Sequence, residues 1–499
     1  MPDVDAEFLA LPFRSLADAA LSRARALGAG YADFRFERRR SQSISTRDRG
    51  LERLTDREVV GYAVRVVHGG AWGFAADVVL TPDAAAATAE AAVTVAATLA
   101  PLNSEPVELA PEPAHHGTWV SAYEIHPFSV PDADKVAYLV SVNERLLGSG
   151  LVSHVDFGVR QVVEGKYFAD LAGSDLVQQR VRVEGDFDAV RVDDRSGAFE
   201  TMRSCSLPTG RGWEHFTSGH DYAAEADEVP ALLEEKMASA AVDPGRYDLV
   251  IHPTNLWLTI HESIGHATEL DRVLGYEANY AGTSFATLDN LDTLRYGSPV
   301  MHVTGDRQVE HGLSTVGWDD EGVAAQQWDI IRDGVLVGYQ LNRQMAHKQG
   351  FGRSNGCAYA DSPATVPIQR MPNVSLRPAP ADVTLDDLIG GVDRGIYVVG
   401  DKSWSIDMQR YNFQFTAQRF YEIRGGRLAG QRKDVAYQGT TTEFWNSMEA
   451  VGGPSTWMLG GSFNCGKGQP GQSAPVSHGA PAALFRQVNV LDTAAESAR

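Results

Sequence analysis

The chain of 499 residues is long enough for two or three domains, each with its own core, and its 43% hydrophobic and 22% charged content is that of a globular protein. Its formal net charge of -21 repels nucleic-acid phosphates and anionic lipid, and no run of 18 apolar residues is present to span a bilayer. Neither nucleic acid nor membrane is therefore an expected partner.

Met1 to Phe13 opens with acids and lacks the basic segment and apolar core of a secretory signal. Cys205, Cys357 and Cys465 are too scattered for a disulfide framework, so a cytoplasmic location is the expectation. Leu16 to Ala26 reads as a helix ended by Gly28 and Gly30, and Tyr31 to Ser45 as a strand. Arg38, Arg39 and Arg40, beside Arg35, read as a solvated strand end rather than a binding patch. Val59 to Val67 is β-branched, His68-Gly69-Gly70 turns the chain into Trp72 to Val79, and Thr81 or Asp83 caps a helix from Pro82 to Leu99.

Six prolines mark residues 101–131 as a linker or surface excursion. The earlier order then recurs: helix Asp132 to Leu147, strand Val152 to Val163, a turn at Glu164-Gly165-Lys166, further strands to Phe199, and helix Ala223 to Ala241. This is an internal repeat, its alternative being the coincidence of two common αβ segments. Pro244-Gly245 opens a new region with a strand at Tyr247 to Ile251 and a helix at Asn255 to Leu270. Beyond it β-type segments dominate, with hairpin dipeptides at Asp333-Gly334 and Gly425-Gly426. The expected fold is α+β: an N-terminal domain of helices and strands over 1–240 and a mainly antiparallel β domain over 241–499.

Chemistry concentrates at His261-Glu262-Ser263-Ile264-Gly265-His266. Zinc takes neutral imidazole nitrogens, and a glutamate beside a ligand can serve as a base without taking a coordination position. A spacing of five would turn two histidines about 140° apart on a regular helix, which defeats chelation. One wide, π-type turn corrects this, and Gly265 is the residue expected to permit the distortion over Ser263 to His266. A chance match to H-E-x-x-x-H arises in on the order of one chain in fifty of this composition, so context has to add weight. Glu269 and Asp271 follow one turn on, where a carboxylate could hold a ligand's second nitrogen.

The remaining ligand has several candidates: His302, His311, Asp319, Asp320, Glu321 and the cysteines. Cys465 lies in the glycine-rich loop Gly460 to Gly471, whose backbone can approach a metal or a peptide closely. Gly461, Ser462 and Gly466 are its substrate-binding candidates, and Lys467 would favour the thiolate. Cys205 and Cys357 read as buried thiols.

Taken together, the HESIGH motif, Glu269, Asp319-Asp320-Glu321-Gly322, Arg370-Met371-Pro372-Asn373 and Asn464-Cys465-Gly466-Lys467 resemble the TldD/PmbA family over nearly the whole chain. The resemblance implies a zinc peptidase with His261, His266 and Cys465 as ligands and Glu262 as catalytic base. It also implies small or unfolded peptide substrates, such as leader segments and an antitoxin, and a dimer, either of two like chains or with an inactive paralogue of the PmbA/TldE kind. Because the motif is retained, this chain looks like the catalytic partner. The acidic surface favours basic or neutral peptides. Two other readings use the same residues: an amidohydrolase acting on small amides, and a non-enzymatic metal-binding modulator of a partner such as DNA gyrase. A structural zinc would need four closed ligands and has no use for Glu262.

Overall fold

The computed structural model describes residues 3–497. Helices α1 (Ala6–Leu9) and α2 (Phe13–Ala26) lead into strands β1 (Tyr31–Arg47), β2 (Gly50–His68) and β3 (Ala71–Asp77), then helix α3 (Pro82–Leu99). The proline-rich excursion contributes the short β4 (His116–Val120). The same order returns as α4 (Asp132–Gly148), β5 (His154–Asp170), β6 (Asp175–Val192), β7 (Phe199–Arg203) and α5 (Tyr222–Ala238). Both units build one seven-stranded sheet, ordered β3-β2-β1-β5-β6-β4 with β7 on β6. Their first strands, β1 and β5, pair antiparallel at its centre.

Alternation along these strands separates two chemistries. Phe34 and Phe36 of β1 are buried under α2 and α3, and Phe157 and Val159 of β5 under α4 and α5. The opposite face carries Arg35, Glu37, Arg39, Glu164 and Lys166, which meet the C-terminal half. There Arg35 donates to the carbonyls of Ser362 (2.9 Å) and Thr365 (2.7 Å), Lys166 pairs with Asp320 at 2.8 Å, and Arg65 pairs with Glu321 at 3.0 Å. The Asp-Asp-Glu segment thus glues the two halves together through buried, hydrogen-bonded charge.

Two local expectations change. Strand β2 begins nine residues before Val59, because Gly50 to Glu58 pairs with β1 while exposing polar side chains on both faces. No turn occurs at Glu164-Gly165-Lys166: β5 runs straight through, and Gly165 sits opposite Arg38. One described helix, Pro82–Leu102, is long and apolar enough to cross a bilayer, with a mean hydropathy of 1.4. Its Ala85, Ala89, Ala92 and Ala96 are instead buried against the sheet and α2.

In the C-terminal half, β8 (Gly245–Ile251) joins a closed ring of five strands: Arg394–Ile406, β8, Ala483–Asp492, Val435–Thr440, Asn412–Arg424 and back to Arg394–Ile406. Only the β8 ladder with Arg394–Ile406 is parallel in this ring. A separate hairpin, Met458–Lys467 with Gln472–Ala480, lies beside it. The fold is α+β, and the helix after β8 and this hairpin together build the site.

Candidate metal centre

His252 ends β8 and caps helix α6 (Pro253–Ile260), its Nδ1 accepting from the Thr254 N–H at 3.3 Å. All eight residues of α6 are buried. Its buried polar side chains are satisfied: Thr254 accepts from the Gly400 N–H at 2.9 Å, Asn255 donates to the Gly400 and Thr416 carbonyls, both at 3.0 Å, and Thr259 meets the Tyr437 hydroxyl at 2.8 Å. The helix therefore holds its C-terminal end at a fixed depth.

There the backbone widens into a π turn over His261–Gly265, followed by a 3-10 turn over His266–Thr268. A wide turn releases carbonyls from the regular ladder, and side chains take them up. Tyr296 donates its hydroxyl to the Ser263 carbonyl, and Gln340 donates its amide to the Gly265 carbonyl. The turn brings the rings of His261 and His266 to 4.7 Å, nearly perpendicular at 77°. It begins two residues before the stretch expected from sequence, and Gly265 plays a different part. With φ -52° and ψ -60°, Gly265 has an ordinary right-handed backbone; a Cβ on it would lie 2.6 Å from the Met371 sulfur. Glycine is needed here for close approach, not for bending.

The third donor arrives on the hairpin. Arg370 donates to the Cys465 carbonyl from one strand and, at 3.1 Å, to the Gln472 carbonyl from the other, which ties both strands to it beside Cys465. Cys465 Sγ lies 3.5 Å from His266 Nε2. His261, His266 and Cys465, at 5%, 4% and 3% exposure, place one donor atom each within 4.8 Å of one another. Among the described residues this is the one group of three or more such donors suited to a metal ion.

Proton positions follow from the neighbours. The Val374 carbonyl can only accept, so His478 Nδ1, 2.9 Å away, carries a hydrogen. Burial first, and His261 next, hold His478 well below the usual histidine range, so it is neutral and its Nε2 is an acceptor. His261 Nδ1, 2.7 Å from that atom, therefore donates, leaving its Nε2 lone pair free. His266 likewise gives its Nδ1 hydrogen to Glu269 at 2.8 Å and keeps a lone pair on the nitrogen facing Cys465. Burial also lowers both His261 and His266, which favours the neutral, ligating form. For Cys465 burial pushes the thiol up, but His266 and the Arg370 guanidinium outweigh it, and the thiol sits below its usual range.

Tetrahedral zinc with nitrogen at about 2.0 Å and sulfur at about 2.3 Å requires a nitrogen–sulfur separation of about 3.5 Å. The 3.5 Å between His266 Nε2 and Cys465 Sγ fits that requirement, as does the His2Cys donor set.

Other expected residues divide. Glu269 contacts His266 directly. Burial pushes its carboxyl up, while Lys467, His266 and Arg272 pull it well below the carboxylate range. Asp271 touches no histidine; it receives Lys467 at 2.8 Å and Gln369 at 3.1 Å. Lys467, 1% exposed, points its ammonium at Glu269 (2.9 Å), Asp271 and Glu277 rather than at the sulfur. Its neighbourhood thus braces the carboxylate that orients His266. Glu262 accepts from Arg410 Nη1. In the hairpin, Gly461 is buried and a Cβ there would lie 2.2 Å from the Val476 carbonyl oxygen, Ser462 Oγ accepts from the Asn464 N–H at 3.1 Å, and Gly466 is exposed. His302 and His311 lie outside the donor group, beside Asp333 and Glu310. Cys357 donates to Asn355 and burial pushes it up to about 12; Cys205 meets Arg419 at 3.1 Å. His478, Gln340 and Arg410 carried no spacing signal, since each reaches the motif only through the tertiary fold.

The chain has relatives among known proteins. The family model for the PmbA/TldA metallopeptidase C-terminal domain matches residues 244–492, and that for PmbA/TldA metallopeptidase domain 1 matches residues 32–96. A metalloprotease of Methanothermobacter thermautotrophicus is 27% identical over 93% of this chain and 96% of its own length. A zinc metalloprotease TldD homolog of Saccharolobus solfataricus is 23% identical over 94% of this chain and 98% of its own. In fold, the chain matches a Thermotoga maritima crystal structure described as a candidate modulator of a DNA gyrase. The TM-score is 0.75 at 17% identity, covering 96% of this chain and all of that one. TldE from Thermococcus kodakarensis matches with a TM-score of 0.69 at 16% identity, over 95% and 99% of the two chains. Fold and homology define a metallopeptidase. The chain belongs to the PmbA/TldD family.

Proposed function

We propose that this chain is a zinc-dependent peptidase acting on small or unfolded peptides, leader segments and antitoxin-like chains among them. His261, His266 and Cys465 would hold the metal, and Glu262 would be the general base. The observation that carries the reading is a three-donor set with its lone pairs converged, beside a buried carboxylate that takes no part in it. Zinc, when bound, supplies Lewis acidity that polarises a peptide carbonyl and makes water a usable nucleophile near neutral pH.

The chain's own residues do the rest. Arg410 holds the Glu262 carboxylate in one orientation, so that Glu262 accepts a proton from water and passes it to the leaving amine. His478 and Glu269 fix the tautomers of the two ligand histidines. Within the described residues the strand Met458–Lys467 pairs only with Gln472–Ala480, so its other edge has no strand partner, and an extended peptide would pair there near the exposed Gly466. Selection by backbone pairing favours unfolded chains over folded ones. A closed structural site would need a fourth protein donor, and the three-donor set supports catalysis over the modulator reading.

Free thiols at Cys205, Cys357 and Cys465 support a reducing compartment such as the cytoplasm. The exposed Trp404 and Met408, near Arg410 in sequence, support a subunit interface with a second copy or an inactive paralogue. Cleavage of an unfolded polypeptide and of small amides, by zinc-loaded wild type and Glu262→Gln, tests the reading. Polypeptide cleavage that falls at least about a hundredfold in the variant, with metal retained, supports it. Amide-only turnover, or an undiminished variant, contradicts it.

A further inference from the structure

The second face of the N-terminal sheet meets the Cys465 hairpin at a small cavity of about 80 Å³. Its floor is Val162 of β5. Arg182 stands directly opposite Val162 on β6, Arg160 two positions before it on the same face, and Arg39 diagonally across on β1. The alternation of β1 separates the arginine run. Arg38 and Arg40 turn outward to Glu58 and Asp56, whereas Arg39 turns into the cavity, its Nη1 donating to the Asp361 carbonyl at 2.8 Å. Phe463, Asn464, Ser473 and Pro475 of the hairpin form the cover.

The cavity holds more donors than acceptors. Arg182 is 2% exposed, and its Nη2 reaches Glu164 at 2.7 Å, while its Nε and Nη1 are buried without a hydrogen-bond partner. Glu164 is already shared with Arg180 and Lys166. Arg160 pairs with Glu184 at 3.0 Å and donates to the Asn464 side chain at 3.0 Å, and its Nε is also without a partner. Asp361, the acid within the lining, is occupied: its carboxylate accepts from the Ser473 N–H at 3.0 Å and the Thr365 hydroxyl at 2.9 Å. Burial, together with the neighbouring arginines, lowers the pKa of both Arg160 and Arg182, as crowded and under-compensated cations require. Buried guanidinium N–H groups without acceptors are rare, and a planar, two-oxygen anion matches their fork.

We propose that this cavity is an anion subsite taking a carboxylate of the peptide substrate, from an acidic side chain or the C-terminus. The proposal rests on the peptidase reading above. The hairpin ties the cavity to the metal donor along the chain: Asn464, which covers the arginines, immediately precedes Cys465 in one strand, so a peptide lying along that strand would pass both. Val162 and Phe463 would receive the methylene groups that precede a side-chain carboxylate.

The test uses the zinc-loaded full chain and unstructured peptides of neutral sequence. A single Asp is walked along the peptide against Asn controls, and the C-terminus is either free or amidated. At one register, or at the terminus, the carboxylate is expected to raise kcat/KM about tenfold or more, chiefly through KM. Arg39→Gln and Arg182→Lys should remove that gain and leave neutral peptides at wild-type rates. Arg39 is partly buried and, unlike Arg182, makes no ion pair with the buried Glu164, so its variant reads the site even if Arg182→Lys does not fold. Which arm shows the gain identifies the side chain or the terminus as its source. Binding of the same peptides to Glu262→Gln reports the subsite without turnover, so loss of cleavage alone counts against the peptidase reading and not this one. No carboxylate preference in either assay overturns the proposal, as does a preference that survives both arginine substitutions.

Discussion

His261 Nδ1 lies 2.7 Å from His478 Nε2, and His478 is in turn held by the Val374 carbonyl at 2.9 Å. This relay joins the helix motif to the second strand of the hairpin that carries Cys465. It dictates which nitrogen of His261 is free. His478→Phe removes the acceptor and should weaken zinc binding about 10- to 100-fold, as loss of a ligand's hydrogen-bond partner does elsewhere. His478→Gln, which restores an acceptor oxygen, should recover part of the loss. Competition against a zinc-binding dye measures both, and equal affinities for all three proteins would refute the relay.

Gly265 and Met371 are in such close contact that a Cβ on Gly265 would sit 2.6 Å from the sulfur. Gly265→Ala should cost roughly 1–3 kcal/mol by overpacking a fully buried contact, and should reduce metal affinity by shifting His266. Met371→Ala in the same chain should restore much of that stability in a double-mutant cycle, read by urea unfolding. If the two substitutions add, the contact is not the reason for glycine.

Lys467 is enclosed with Glu269, Asp271 and Glu277. Its ammonium is raised above the usual lysine range by these three acids, in spite of burial. Lys467→Met strands buried carboxylates and should cost about 3–5 kcal/mol. The triple neutralisation Lys467→Met with Glu269→Gln and Asp271→Asn should be less destabilised than the single variant. Thermal unfolding of the metal-free proteins makes the comparison independent of zinc.

Stability should depend on pH through two histidines outside the metal cluster. Burial lowers His215 to about 3 and His252 to about 4 from an ordinary 6.5. Unfolded, both bind a proton near pH 6.5; folded, only near pH 3 and 4. Between those limits the unfolded chain holds more protons, so stability is complete above about pH 6.5 and is lost as pH falls. Each histidine contributes about 1.4 kcal/mol per pH unit in that window, or roughly 2 kcal/mol between pH 7 and pH 5. Urea unfolding of metal-free His215→Gln should therefore show a drop over this interval about 2 kcal/mol smaller than wild type.

What could be read in advance was what is local. The spacing of His261 and His266 demands a wide turn if both are to face one point, and Glu269 lies within one turn of the histidine it orients. The alternation of Phe34 and Phe36 and the Thr81 cap likewise depend on neighbours in sequence. His478 lies 217 residues from His261, and Arg410 lies 148 residues from Glu262, so no spacing connects them. A glycine in sequence can mean either backbone freedom or close approach, and at Gly265 only Met371, reached through the fold, distinguishes the two. The first half of β2 is exposed on both faces and so has no hydrophobic alternation to show in sequence. Arg39 looked like its neighbours until the pleat turned it inward.

The central claim is that His261, His266 and Cys465 jointly hold the catalytic zinc. X-ray absorption at the zinc edge of the one-to-one metal-loaded protein tests it most directly. The account predicts two nitrogen scatterers at about 2.0–2.1 Å and one sulfur at about 2.3 Å, with the sulfur shell absent from Cys465→Ala. A sulfur-free first shell in the wild type, or an unchanged spectrum in Cys465→Ala, would contradict it.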